Sequence, residues 1–272
     1  MTSGLRAIGI AAAVVVAAAA FAAPKPDLWP RWEAHDPAST VRVDHRPWEE
    51  LLAKYLVTGH PSGVNRVRYA QVTAEDKAAL DRYVASLEAT PVSSLGRPEQ
   101  LAYWINFYNA LTVKVILDHY PVKSIRDIKS GWFNPGPWDL KLVTVEGEQL
   151  TLNDMEHRIL RPIFRDNRVH YAVNCASIGC PNLQPEAFTA ENTARLLKAG
   201  AREHVNHPRG ARVEGGRLIA SSIYDWFQVD FGGSEAGVLE HLRAYAEGPL
   251  AEALRGFRGT ISYQYDWSLN EP

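Results

Sequence analysis

RPEQLAYWINFYNALTVKVILDHY, residues 97–120, decides the architecture. Pro98 stands where a first helical turn tolerates a missing N–H. Behind it, apolar residues recur on every side of the helical wheel rather than along one stripe. Such a helix has no face to give to water, so it belongs at the buried centre of a packed domain. Two carboxamides, Asn106 and Asn109, interrupt it three residues apart and so share one side. Buried amides need partners. They either tie neighbouring loop backbone in place or direct one amide into a site, as an oxyanion donor or a histidine orienter.

Outward from this helix the pattern is mixed. PWEELLAKYLV (47–57) and AEDKAALDRYVASLEA (74–89) read as helices, the second amphipathic, and VRYAQV (67–72) between them alternates like a strand. GWFNPGPWD (131–139) is a loop, and its rings Trp132 and Trp138 are candidates for substrate binding at the border of a site. LKLVTV and EQLTL flank Glu146-Gly147 as a hairpin. NDMEHRILR (153–161) reads as a helix that stops before Pro162, and VHYAV (169–173) as a strand. Helices over 189–206 and near 234–247, a helical SIYDWFQVDF, and strands RLIAS and TISYQY complete the chain. Helices dominate and strand–helix–strand alternation is rare. The expected class is α+β: a helix-rich single domain over 47–272 with a small, mainly antiparallel sheet.

The N-terminus predicts export. Arg6 precedes an uncharged run from Ile8 to Phe21, and Ala20-Phe21-Ala22 supplies a small-x-small cleavage site. The run is shorter than the roughly 20 residues that span a bilayer, and no later segment is long and apolar enough. Residues 1–22 therefore read as a signal peptide, 23–46 as an extended lead-in, and the remainder as periplasmic or secreted, with no membrane span. The net charge of −2 gives no electrostatic footprint for nucleic acid.

Both cysteines lie in HYAVNCASIGCP, residues 170–181. An exported chain favours a disulfide between Cys175 and Cys180. Five residues apart in a helix, their Cα atoms would stand roughly 8–9 Å from each other, too far to bridge. A disulfide therefore needs a turn through 176–179, which Gly179 suits, and would contribute only about 2 kcal/mol. A helix starting at Cys175 would instead lower its thiol pKa and make it a nucleophile. Metal or redox chemistry stays open, although the spacing lacks the paired CxxC of a zinc site. His157 lies off the apolar side of its helix and is the candidate base, while Glu156 is a helix cap or an orienter. His170 on a continuous strand would lie about 16 Å from Cys175 and on the opposite face, so His157 is the better thiol partner and His170 joins Trp132 and Trp138 as a candidate for substrate binding.

Four stretches, WINFYNALT, LTLNDMEHRILR, VHYAVNCASIGCP and SIYDWFQVDFGG, resemble in this order the signatures of the family catalogued as domain of unknown function 547 (DUF547), whose bacterial members are often exported. The resemblance spans about 95–235. It places Asn106, Asn109, Glu156, His157, His170, Cys175, Cys180, Asp225, Trp226 and Asp230 on motif positions, and leaves out His204, His207 and His241. The family supplies no activity.

The residues suggest a thiol hydrolase or acyltransferase. Cys175 would be its nucleophile, His157 the base and Glu156, Asn106 or Asn109 the orienters, without cofactor or metal. The histidine-before-cysteine order is that of permuted papain-like enzymes. The alternative is a non-catalytic binding module stapled by Cys175–Cys180. The partner in either case is a small-molecule, peptide or cell-envelope substrate. N-terminal sequencing of exported material should find the mature chain beginning near Ala23; an intact Met1 would refute the signal assignment.

Overall fold

The structure, a computed structural model, describes residues 24–129, 131 and 135–272; the expected signal segment 1–22 and Trp132 lie outside the described residues. The chain lays down α1 (Arg46–Tyr55), β1 (Leu56–Val57), β2 (Arg66–Val67) and α2 (Ala74–Glu88) before the central helix, α3 (Arg97–His119). Every residue of α3 from Ala102 to Val113 is buried. Around it close α1, α2 and the hairpin β3 (Val143–Val145) and β4 (Glu148–Leu150). The hairpin turns at Glu146 and Gly147, both at positive φ. The lead-in, expected to be extended, makes one 3-10 turn at Pro30–Glu33. It buries Trp32 edge-on against Trp104, with ring centroids 5.3 Å apart.

A second, smaller core gathers α4 (Thr193–Asn206), β5 (Ala211–Glu214), β6 (Arg217–Ser221), α5 (Ile223–Trp226), α6 (Glu235–Tyr245), α7 (Gly248–Leu254) and β7 (Ile261–Gln264). The class is α+β, as the sequence predicts, but among the described residues the strands form three small sheets rather than one. Among these strands all pairings are antiparallel except β6 with β7. Residues 171–176 cross the seam: Tyr171 packs in the smaller core, while Ala172, Val173 and Ala176 pack in the larger.

Three local expectations fail for physical reasons. VRYAQV contributes only Val67 to the two-residue β2, followed by a 3-10 turn at Tyr69–Gln71 that buries Tyr69 and lets its hydroxyl donate to Asn270 Oδ1 at 2.8 Å. VHYAV is not a strand. Asp166 caps a 3-10 helix, Asn167–Tyr171, by accepting from the Arg168 N–H, and residues 169–173 are buried without alternation. The helix expected to stop before Pro162 runs through it as a π-helix, Asp154–Phe164. Proline cannot donate to the carbonyls four and five residues back. The lead-in takes them instead: Trp29 N–H donates to Arg158 O at 3.1 Å and Asp27 N–H to His157 O at 3.0 Å.

The C-terminal segment then closes over the cysteine loop. Ile178 N–H donates to Ser268 O and Gly179 N–H to Asp266 O, each at 2.8 Å, and Asn270 N–H reaches Ala176 O at 3.1 Å. The sharp turn is made by Ala176, at φ 56, rather than by Gly179. Gly179 serves close approach: a Cβ there would meet Asp266 N at 2.9 Å and Asp266 O at 3.0 Å. Gly179→Ala should therefore lower stability by about 1–3 kcal/mol in urea unfolding; unchanged stability would show that the segment docks without this contact.

Candidate functional site

The two amides of α3 determine where the site lies. Asn109 Nδ2 donates to Ala172 O and Asn109 Oδ1 accepts from Asn174 N–H, both at 2.8 Å. One turn earlier, Asn106 Nδ2 donates to Phe188 O at 2.7 Å and its Oδ1 accepts from Phe188 N–H at 2.9 Å. Both side chains thus tie loop backbone in place, the first of the two roles open from sequence. Asn174 extends the tie. Its Oδ1 accepts from Ala176 N–H and its Nδ2 donates to Pro181 O, both at 2.8 Å, so it bridges the two ends of the cysteine loop.

Within that loop the sulfurs of Cys175 and Cys180 stand 2.9 Å apart as free thiols, Cys175 partly exposed and Cys180 buried. No helix begins at Cys175, so no helix dipole acts on it. Hydrogen bonds do that work. Cys180 is the strongest influence, and Ser177 Oγ at 3.2 Å and the Tyr265 hydroxyl at 3.0 Å assist it. Together they lower the Cys175 pKa against burial and the Glu156 charge, which raise it. Cys180 shifts the other way: burial, then its role as donor to Cys175, push it well above the ordinary thiol value. The pair is therefore asymmetric: its surroundings favour the thiolate at Cys175 and the protonated form at Cys180.

His157 is not part of this pair. Its Nδ1 lies 3.0 Å from Arg161 Nη1, and because a guanidinium only donates, the imidazole nitrogen accepts. Burial holds the His157 pKa down to about 4 although Glu156 opposes it. His170, on the 3-10 helix, sits with Nε2 2.7 Å from Asp230 Oδ2 and Nδ1 3.7 Å from Glu156 Oε1, and its ring stacks on Phe227 at 4.3 Å. Arg161 Nε reaches the same Asp230 oxygen at 2.6 Å. Burial alone would raise the Glu156 pKa; the basic neighbours His157, His170 and Arg161 outweigh it and hold it at about 2. Among the described residues, no histidine hydrogen-bonds the Cys175 sulfur, whose partners are Cys180, Ser177 and Tyr265.

Partly exposed aromatic rings border Cys175. Tyr265 packs tilted against Trp267 at 4.6 Å and against Trp226 at 4.8 Å, and Trp267 meets Trp138 edge-on at 5.7 Å. Trp138 folds back over Gly136, where any Cβ would collide with its ring. Trp138 and Trp226 thus share one aromatic rim with Tyr265, whereas His170 lies in the arginine–carboxylate cluster. Sequence reasoning missed Ser177, Tyr265 and Arg161. Ser177 and Arg161 lie inside the quoted motifs, but Tyr265 is 90 residues from Cys175 and carried no signal. No group of three or more His, Cys, Asp or Glu side chains placed to hold a metal ion occurs among the described residues.

Fold and site together define an α+β domain that presents an asymmetric pair of thiols at the seam of two cores. Residues 92–205 match the family model described as "Protein of unknown function, DUF547", which shows the resemblance over that segment. The match contains α3, the π-helix and both cysteines and ends before SIYDWFQVDFGG, so it is shorter than the span of about 95–235 read from the motifs. No curated protein and no solved structure matches the chain.

The buried imidazoles set an acid limit on stability. His157 and His45 are both held at about 4 against an ordinary 6.5, so the unfolded chain binds more protons between those values. Their contribution is complete above pH 6.5 and is lost as pH falls toward 4, at most about 3 kcal/mol for each. Glu156 extends the loss from 4.5 down toward 2. Urea midpoints should fall between pH 6.5 and 4, less steeply in His157→Gln; parallel slopes would refute the assignment to His157.

Proposed function

We propose that the chain acts through Cys175 as a thiolate nucleophile in thiol–disulfide exchange, with Cys180 as the resolving thiol. The carrying observation is the sulfur pair itself: 2.9 Å apart, with the pKa lowered on the partly exposed member and raised on the buried one. Attack by the Cys175 thiolate on a substrate disulfide R–S–S–R′ forms a mixed disulfide and releases R–S⁻. Cys180 then gives up its proton to the departing thiolate and attacks the Cys175 sulfur, forming the Cys175–Cys180 disulfide and releasing R′–S⁻. The substrate gains two electrons and the protein dithiol loses them; run backwards, the same steps oxidise a substrate dithiol. In an exported chain, as residues 1–22 suggest, oxidising surroundings would favour the backward direction. The aromatic rim of Trp138, Trp226 and Trp267 suits an apolar or peptide segment beside the disulfide.

An acyl-transferring hydrolase uses the same nucleophile. It receives less support, because Arg161 occupies the lone pair of His157 and the thiol proton would have to leave through Cys180 or Tyr265. The stapled binding module needs a permanent disulfide, which a freely exchanging dithiol would exclude.

Iodoacetamide at mildly acidic pH should label Cys175 well before Cys180, and Cys180→Ala should slow that labelling by removing its main hydrogen-bond donor. With glutathione disulfide, the intact pair should pass through a glutathione adduct to the internal disulfide, while Cys180→Ala should stop at the adduct, resolved by mass spectrometry. Equal labelling of the two thiols, or no adduct in Cys180→Ala, would overturn the proposal.

A further inference from the structure

A groove of about 400 Å³ opens between the lead-in and the end of the π-helix, away from the thiols. Its polar lining includes two arginines, Arg161 and Arg165, and two carboxylates, Asp166 and Asp230. Their state of pairing is unequal. Asp230 Oδ2 already accepts from Arg161 Nε at 2.6 Å and contacts His170 Nε2 at 2.7 Å. Asp166 is held by Arg168, through its backbone N–H, its Nε and its Nη2. The donors are under-used. The Arg161 side chain is 1% exposed, yet among the described residues its buried Nη2 has no hydrogen-bond partner. Arg165 makes no ion pair among the described residues, and its Nε donates only to Pro162 O, at 3.2 Å. Asn167 Nδ2 makes only long contacts of 3.4 Å, to Asp230 O and His241 Nδ1.

Two further features fit a ligand rather than a structural cluster. Arg165 sits at φ 51, in the left-handed region that a long side chain enters at a cost, and there it places a free cation at the groove. Apolar side chains share the lining: Leu28 is one, and Val229, 61% exposed, is another. Unused guanidinium donors beside apolar side chains match an ion that is flat at one end and greasy at the other.

We propose that this groove binds a carboxylate bearing an apolar substituent, with the carboxylate taken by Arg165 together with Arg161 and Asn167, and the substituent laid against Leu28 and Val229. A planar carboxylate offers two oxygens to a guanidinium fork, and its charge compensates a cation that no carboxylate among the described residues neutralises. The site is separate from the dithiol and does not rest on the exchange chemistry.

The test uses the full chain, with N-acetyl-leucine as probe followed by calorimetric titration. Acetate, N-acetyl-leucinamide and inorganic phosphate serve as comparisons. N-acetyl-leucine should bind saturably and more tightly than acetate, and the uncharged amide should not bind. Arg165→Gln, at an exposed position, should weaken N-acetyl-leucine roughly tenfold, as loss of a charge-assisted contact implies. Val229→Ser should weaken N-acetyl-leucine and leave acetate unchanged. Absence of saturation, equal binding of the amide, or indifference to Arg165→Gln would overturn the proposal. Phosphate binding more tightly than N-acetyl-leucine would overturn the carboxylate assignment.

Discussion

A helix with no solvent face cannot leave an amide unsatisfied, and Asn106 and Asn109 turn that constraint into the organising contact of the molecule. Each saturates backbone groups of a loop that would otherwise bring its own polar atoms into the core: Phe188 for Asn106, and Ala172 and Asn174 for Asn109. The gain is reciprocal, since the loop satisfies the helix and the helix fixes the loop. Cys175 follows Asn174 directly, so its position is inherited from the most buried element of the fold. That is a rigid footing for a nucleophile carried on irregular chain.

Electrostatics around the footing divide into two kinds. Glu156 is a full negative charge, and it opposes a second one at Cys175. Neutral donors close to the sulfur win nonetheless. A hydrogen bond at 2.9–3.2 Å from Cys180, Ser177 or Tyr265 acts at contact, whereas the carboxylate makes no contact with the sulfur and is itself matched by Arg161 and two histidines. Glu156, His170, Asp230 and Arg161 are thus paired with one another within the seam. Arg161 consumes the one lone pair that would have made His157 a base for the thiol.

The helices were legible in the sequence because their signals are local. The all-round apolarity of 97–120, the amphipathic pattern of 74–89 and the Glu146-Gly147 turn each state their own geometry. VHYAV misled because alternation marks a strand only where one face is wet, and residues 169–173 are buried throughout. Pro162 misled because a proline ends a helix only if nothing else takes the freed carbonyls, and here the backbone of Asp27 and Trp29 takes them. Both errors come from contacts more than 100 residues away in sequence or from burial on every side, neither of which a local pattern can encode. The cysteines and their neighbour Ser177 lay within one quoted stretch, but Tyr265 came from a strand end with nothing to mark it.

That distant contribution explains how the site is kept together. The C-terminal segment supplies Tyr265 to the Cys175 sulfur, carbonyls from Asp266 and Ser268 to the loop, and the Asn270 N–H to Ala176 O. Asn270 also accepts the Tyr69 hydroxyl, so one short segment ties the cysteine loop to the start of the larger core. β7 anchors the same segment to the smaller core through its parallel pairing with β6. The environment of Cys175 therefore depends on the docking of both cores at once: helix α3 fixes the loop through its amides, and the C-terminal segment completes its hydrogen bonds.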